Sequence, residues 1–178
     1  NAQFTFPCNF LLVASMNPCP CGYLNDPKHE CTCTDASITR YRRKISGPLL
    51  DRFDIQLEVM PIAFSDLYDE NTVEESSSAI RERVIHARNI QMDRFKDTGI
   101  YCNSNMTQTQ LHTFCQLDNA SKKLLERAFE KLGISARAHN RILKLARTIA
   151  DLDGSDVIHS AHIAEAIQYR ALDKSLWN

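Results

Sequence analysis

Ser46-Gly47-Pro48-Leu49-Leu50-Asp51-Arg52-Phe53-Asp54 holds one arginine at the seam between a short helical turn and a strand. The Gly-Pro pair suits the start of that turn, because Pro48 has no amide hydrogen to leave unpaired at a first helical position. Asp54-Ile55-Gln56-Leu57-Glu58-Val59 then alternates apolar and polar residues at period two, which predicts a half-buried strand. Arg52 is thus expected on a rigid corner.

Upstream, Phe10-Leu11-Leu12-Val13-Ala14-Ser15-Met16 is a continuous apolar run, the pattern of a central strand buried on both faces, and it stops at Asn17-Pro18. Only 54–60 offers a second good strand. Two strands are too few for a self-contained sheet, so the expectation is a fragment of a larger α/β domain.

Between these runs lie Cys19-Pro20-Cys21-Gly22 and Cys31-Thr32-Cys33. Two close thiolate pairs joined by a loop can converge on a tetrahedral Zn²⁺, and four protein ligands leave no open position, so the expected metal is structural. The C-x-C spacing is tighter than usual; Gly22 permits an unusual turn and Pro20 stiffens it. His29 and Cys8 are substitute ligands, and free or oxidised thiols are the competing reading. Arg40-Tyr41-Arg42-Arg43-Lys44 follows, with Lys28 inside the loop. These cations suit a solvated run, the charge of a Cys₄ site, or a polyanion such as DNA.

Beyond residue 60 the pattern changes. Pro61 to Thr72 reads as a linker. Five helical segments follow and predict a small bundle. The first runs from Ser76 to Arg94 with Ile80, Val84, Ala87 and Gln91 on one face. Thr107 and Gln110 form a capping-box pattern before Leu111–Cys115. Asp118 caps a stripe of Leu124, Leu125, Ala128, Phe129 and Leu132, with Gly133 as the stop. Ser135 caps a helix with Ala138, Ile142, Leu145 and Ile149 inward, and Ser160 precedes the last. The fourth helix carries Arg137, Arg141, Lys144 and Arg147. Like charges three, four or seven apart repel, and an anion such as phosphate on that face would relieve them. A solvated face is the alternative.

The chain has 178 residues, 43% of them apolar, and a formal net charge of -1 from 21 basic and 22 acidic side chains. That balance gives no bulk electrostatic case for nucleic acid, although local clusters still can bind it. No run of eighteen apolar residues and no charged-then-apolar leader occurs, so a membrane span and a signal peptide are not expected and the cytoplasm is the expected compartment. Seven cysteines in a chain with a normal helical core point to thiols or metal ligands rather than disulfide staples. No serine-histidine-acid or paired-carboxylate arrangement suggests another hydrolase.

Three motifs in order, Met16 to Gly22, Ile45 to Asp54, and Ser135-Ala136-Arg137-Ala138 with Ala146-Arg147-Thr148-Ile149-Ala150-Asp151-Leu152, resemble the C-terminal part of the bacterial magnesium-chelatase-related AAA+ ATPases, the YifB/ComM group. The resemblance implies an α/β fragment, mainly α: residues 1–61 as the end of a P-loop NTPase core, with the zinc loop at 18–34, and 62–178 as a helical lid. Neither a G-x-x-x-x-G-K-[ST] phosphate loop nor a strand ending in Asp-Glu for Mg²⁺ occurs, and these are expected upstream. Asn17 matches the polar sensor beside the phosphates, with a turn residue before Pro18 as its plain alternative. Arg52 matches the arginine finger reaching a neighbouring subunit's nucleotide; a salt bridge with Asp51 or Asp54 is the alternative. Arg137 matches the second sensor arginine, with Arg141 as the other candidate. Cys19, Cys21, Cys31 and Cys33 match a feature of this subgroup. The group further implies ATP hydrolysis with Mg²⁺ in a ring of identical subunits, a hexamer. It acts on DNA in branch migration, or in the chelatases drives Mg²⁺ into a porphyrin. A non-enzymatic zinc-containing interaction domain is the competing class.

Overall fold

The computed structural model describes residue 4 and residues 10–62, 74–132 and 135–170. They fall into two compact units, Asn1–Lys44 and Ile45–Asn178. The second unit takes in the segment 45–61 together with the helices. Cys8, most of the 61–72 linker, Gly133 and the Leu132 side chain lie outside what is described.

Neither expected strand pairs among the described residues. Phe10–Met16 has no regular secondary structure, with Leu11 88% and Val13 82% exposed, and neither have residues 55–62, where Val59 is 87% exposed and the Gln56 amide donates to the Tyr169 carbonyl at 2.8 Å. An apolar run supplies only the inclination to form a strand; a ladder needs neighbouring backbone to take its N–H and C=O groups. Among the described residues the one bridge is parallel, between Leu117 and Ile158.

In the first unit the cysteine segment is a series of turns followed by α1 (Asp35–Arg42), a helix not anticipated from sequence. Thr34 caps it by accepting from the Ser37 amide at 3.3 Å, with Asp35 in the first turn and Arg40 and Arg42 in the last, where each complements the helix dipole. No α1 residue is buried.

The second unit opens with α2 (Gly47–Leu50), capped by Ser46, whose hydroxyl accepts from the Leu49 amide at 3.3 Å. The bundle comprises α3 (Ser77–Arg94), α4 (Gln108–Phe114), α5 (Asn119–Leu132), α6 (Ala136–Leu152) and α7 (Ser160–Gln168). Each start is chemically marked. Ser76 caps α3; Thr107 and Gln110 close the capping box of α4, with the Thr107 amide donating to Gln110 Oε1 at 2.9 Å. The Asp118 carboxylate accepts from the Ser121 amide at 2.7 Å before α5, and the Ser135 hydroxyl accepts from the Ala138 amide at 3.1 Å before α6. At α7 the cap is a histidine pair, with the His159 amide donating to His162 Nδ1 at 3.1 Å.

Helix α6 is the centre of the core. Ala138, Ile142, Leu143, Ala146 and Ala150 are buried on it, against Phe95, Met106, Leu111, Cys115, Leu125, Ile158, Ile163 and Ala166. Leu145 and Ile149 pack at its margin. The stripe expected on α3 is only half used: Ala87 and Gln91 are buried, whereas Ile80 and Val84 remain exposed. On α5, Leu125 is buried and Phe129 exposed.

A polar knot runs through this core. Asp151 is fully buried and accepts from Arg94 at 2.5 and 2.7 Å, from Arg147 Nε at 3.0 Å and from Asn103 Nδ2 at 2.7 Å. Arg147 also donates to the carbonyl of Asp156 at 2.8 Å and to that of Ser155. Its guanidinium is thus consumed inside the fold, which removes it from the exposed basic face read from sequence.

Candidate metal centre and arginine sites

The four sulfurs of Cys19, Cys21, Cys31 and Cys33 lie within 4.8 Å of one another, the single such group of potential metal ligands among the described residues. Cys19–Cys21, Cys21–Cys31 and Cys19–Cys31 are separated by 3.3, 3.5 and 3.7 Å. A tetrahedron with Zn–S bonds of about 2.3 Å has edges of roughly 3.8 Å, so the set fits one zinc ion, and these separations are far too long for disulfides. The first pair is shaped by a turn in which the Gly22 amide donates to the Cys19 carbonyl at 3.1 Å. Gly22 has φ +86°, a left-handed conformation that disfavours any side chain there. His29 is not a ligand: its Nδ1 lies 3.3 Å from Asp26, which also accepts the Lys28 and His29 amides, and its ring packs on Tyr23.

The cysteines differ in acidity. The Tyr23 amide and the neighbouring Cys19 thiol lower Cys21 to about 6. For Cys31, the Cys33 amide favours the thiolate, but desolvation and the bonds to Cys21 and Cys19 outweigh it and push the thiol up to about 12. Sulfurs this close cannot all ionise unless a cation lies between them. When bound, zinc would be held by all four and serve to cross-link the loop.

Asn17 is exposed, and its side chain lies over Gly22, where a Cβ would meet Asn17 Nδ2 at 3.7 Å. The arginines form a second constellation. Arg52 is exposed and, among the described residues, its side chain donates only to the Pro48 carbonyl of its own turn, at 2.7 Å. Neither flanking acid is its partner. Asp54 pairs with Arg141 at 2.7 Å, and Asp51 takes Arg170 at 3.1 Å and the Ser135 hydroxyl at 3.3 Å. Arg141 donates also to the Arg52 carbonyl, and Arg170 to the Phe53 carbonyl at 2.7 Å.

Of the four cations on α6, three have internal partners: Arg141 as above, Lys144 on the Ser104 carbonyl at 2.7 Å, and Arg147 on Asp151. Arg137 alone is exposed without a hydrogen bond or ion pair among the described residues, in the first turn where helix amides and dipole favour an anion. Sequence reading missed the parts played by Arg94, Asp151 and Arg170. Arg147 and Asp151 stand four apart on a helix, a pairing signal that was available; nothing local to Arg170 announces its partners.

Comparison with known proteins now bears on this arrangement. The family described as magnesium chelatase, subunit ChlI C-terminal, matches residues 74–170, and that described as magnesium chelatase, subunit ChlI, matches residues 1–67. Competence protein ComM of Haemophilus influenzae is 40% identical over 176 residues, covering 99% of this chain and 33% of that protein. YifB of Escherichia coli K12 is 39% identical and YifB of Salmonella typhimurium 37%, each covering 98% of this chain and 33% of the relative. The chain therefore spans about a third of the length of these curated relatives. No helix among the described residues is long and apolar enough to cross a membrane.

Proposed function

The chain belongs to the magnesium-chelatase-related ChlI, YifB and ComM family of AAA+ ATPases, and on that premise we propose that it is the arginine-bearing end of an ATP-driven ring motor. Residues 1–61 would complete the nucleotide-binding core, with the extended apolar segments joining its sheet, and 62–178 would form the lid. Asn17 would orient water or the terminal phosphate. Arg137 would reach phosphate of its own subunit's nucleotide, and Arg52 would reach the nucleotide of the neighbour in a hexamer of identical subunits. Mg²⁺ and the phosphate loop belong to other parts of such a motor.

The observation that carries this reading is the pattern of partners: the Arg52 and Arg137 guanidiniums are exposed and pair with no acid among the described residues, while the acids and cations around them are matched to one another. Arg141, already held by Asp54, is the weaker candidate for phosphate. A guanidinium suits the finger role because it stays charged and offers a planar fork of donors to the equatorial phosphoryl oxygens. We assign the motor a cytoplasmic place, and we assign it DNA as its substrate on the strength of Arg40, Arg43 and Lys44, which are exposed at the end of α1.

In a full-length protein carrying this segment, Arg52→Ala should lower hydrolysis on the order of 10³-fold or more while ATP binding stays near normal. Mixing Arg52→Ala subunits with subunits lacking the phosphate-loop lysine should restore some activity, because intact halves then meet at shared interfaces. No recovery, in rings shown by mass spectrometry to be mixed, would sink the trans role.

The cysteine cluster favours a second reading, a zinc-containing interaction module or a chelatase-type motor subunit, since it assembles in a unit that holds neither Arg52 nor Arg137. That reading expects Cys21→Ser to abolish partner binding while Arg52→Ala leaves it intact.

A further inference from the structure

Two arginines converge on the Arg52 turn without touching the Arg52 guanidinium. Arg141, in the second turn of α6, grips the Arg52 carbonyl and Asp54. Arg170, just beyond α7, grips the Phe53 carbonyl and Asp51. The Ser135 hydroxyl, which caps the very helix whose first turn bears Arg137, donates to the other oxygen of Asp51. The Gln56 amide closes the set by donating to the Tyr169 carbonyl at 2.8 Å. These six bonds all tie residues 51–56 to the helices or the residues just beyond them, and each has a charged partner or holds backbone, so the turn has little freedom to pivot alone.

We propose that Arg141 and Arg170, with Asp51 and Asp54, are positioning residues that clamp the Arg52 turn to the end of the bundle carrying Arg137, so that the two guanidiniums move as one body. Resting on the motor reading above, this supplies a mechanical link between sites. Whatever moves Arg137 at a subunit's own nucleotide also moves Arg52 toward or away from the neighbour's. The link needs no rearrangement of the core, because the clamp sits on the N-terminal end of α6 and the residues after α7.

Amide hydrogen exchange on the 178-residue chain tests the clamp itself. Charge-assisted hydrogen bonds are strong enough that losing them should speed exchange of the Gln56 amide by about ten- to a hundredfold in Arg170→Gln. Amides of Ile142–Ala150 should stay protected as in the unaltered chain. Asp54→Ala is the second variant: its side chain is 64% exposed, so removal leaves no buried hole, and exchange around Phe53–Gln56 should rise there too. Unchanged Gln56 exchange in a folded Arg170→Gln chain, or unchanged exchange in Asp54→Ala if the first variant fails to fold, would overturn the clamp.

Its catalytic consequence is read in a full-length protein carrying the segment. Arg170→Gln should lower kcat at least tenfold with KM for ATP unchanged, Arg170→Lys should recover only part, and adding Arg170→Gln to Arg52→Ala should cost nothing more. An additive loss would overturn positioning through Arg52. Full hydrolysis in Arg52→Ala alone would instead refute the finger reading, with the exchange result still deciding the clamp.

Discussion

Replacing Asp151 with alanine tests the polar knot at the centre of the bundle. The carboxylate is fully buried and takes N–H donors from Arg94, Arg147 and Asn103. Its loss leaves two cations without the counter-ion they share. Arg94, with 13% of its side chain exposed, has some access to water; Arg147, at 3%, has none beyond the carbonyls of Ser155 and Asp156. Desolvation already presses against the charged form of Arg147, with Asp151 as the main opposing influence. Removing one partner of a buried pair costs about 3–5 kcal/mol, and the retained carbonyls place this case near the lower end. Small domains have only about 5–15 kcal/mol in hand, so the variant should be folded but fragile. With a urea slope of about 2 kcal/mol per molar, the midpoint should fall by roughly 1.5 M in a circular dichroism titration. The double variant Asp151→Leu with Arg147→Met should recover at least half of the loss, because apolar packing replaces both charges. A midpoint shift below about 0.5 M for Asp151→Ala would refute the view that this knot holds the helices together.

Elemental analysis of protein purified without added metal should show one zinc per chain. Replacing both Cys21 and Cys31 with serine should abolish it, and metal-free protein with an unchanged circular dichroism spectrum would count against a structural role. The Asp118 cap should make α5 acid-sensitive. Its carboxyl is held below the usual 3.8 by the Ser121 amide and hydroxyl, so its stabilisation is complete above that value and fades as pH falls through the lower, folded-state value. The difference in urea midpoint between the unaltered chain and Asp118→Ala should therefore be largest near neutrality and shrink below pH 3.8, whereas a gap constant down to pH 2 would show that the carboxylate charge is irrelevant.

Helix starts were legible because capping is local physics. Ser76, Thr107 with Gln110, Asp118 and Ser135 each bond an amide two or three residues on, and nothing distant can overrule that. The cysteine set was legible for a related reason, since two pairs on one loop have few places to go. The strands at 10–16 and 54–60 were not, because pairing depends on residues far away in the chain, and among the described residues no ladder forms on either segment. Arg147 was misread as surface for want of knowing that Arg94 and Asn103 come in from 57 and 48 residues away to share Asp151. The early helix α1 is hard to see in sequence because it is mostly polar and buries no residue, and the Thr34 cap is its one local mark.

The bonds that fasten the Arg52 turn also dictate an order of assembly. They join residues 84 to 119 positions apart, whereas α6 and α7 follow one another directly in sequence. Closing an open loop of that length before the helices exist costs about 4 kcal/mol of chain entropy. Once α3 to α7 have formed, far less chain separates the turn from its partners, and the cost of closure is lower. The turn is thus expected to dock last in folding and to detach first on the way out, leaving the bundle intact behind it.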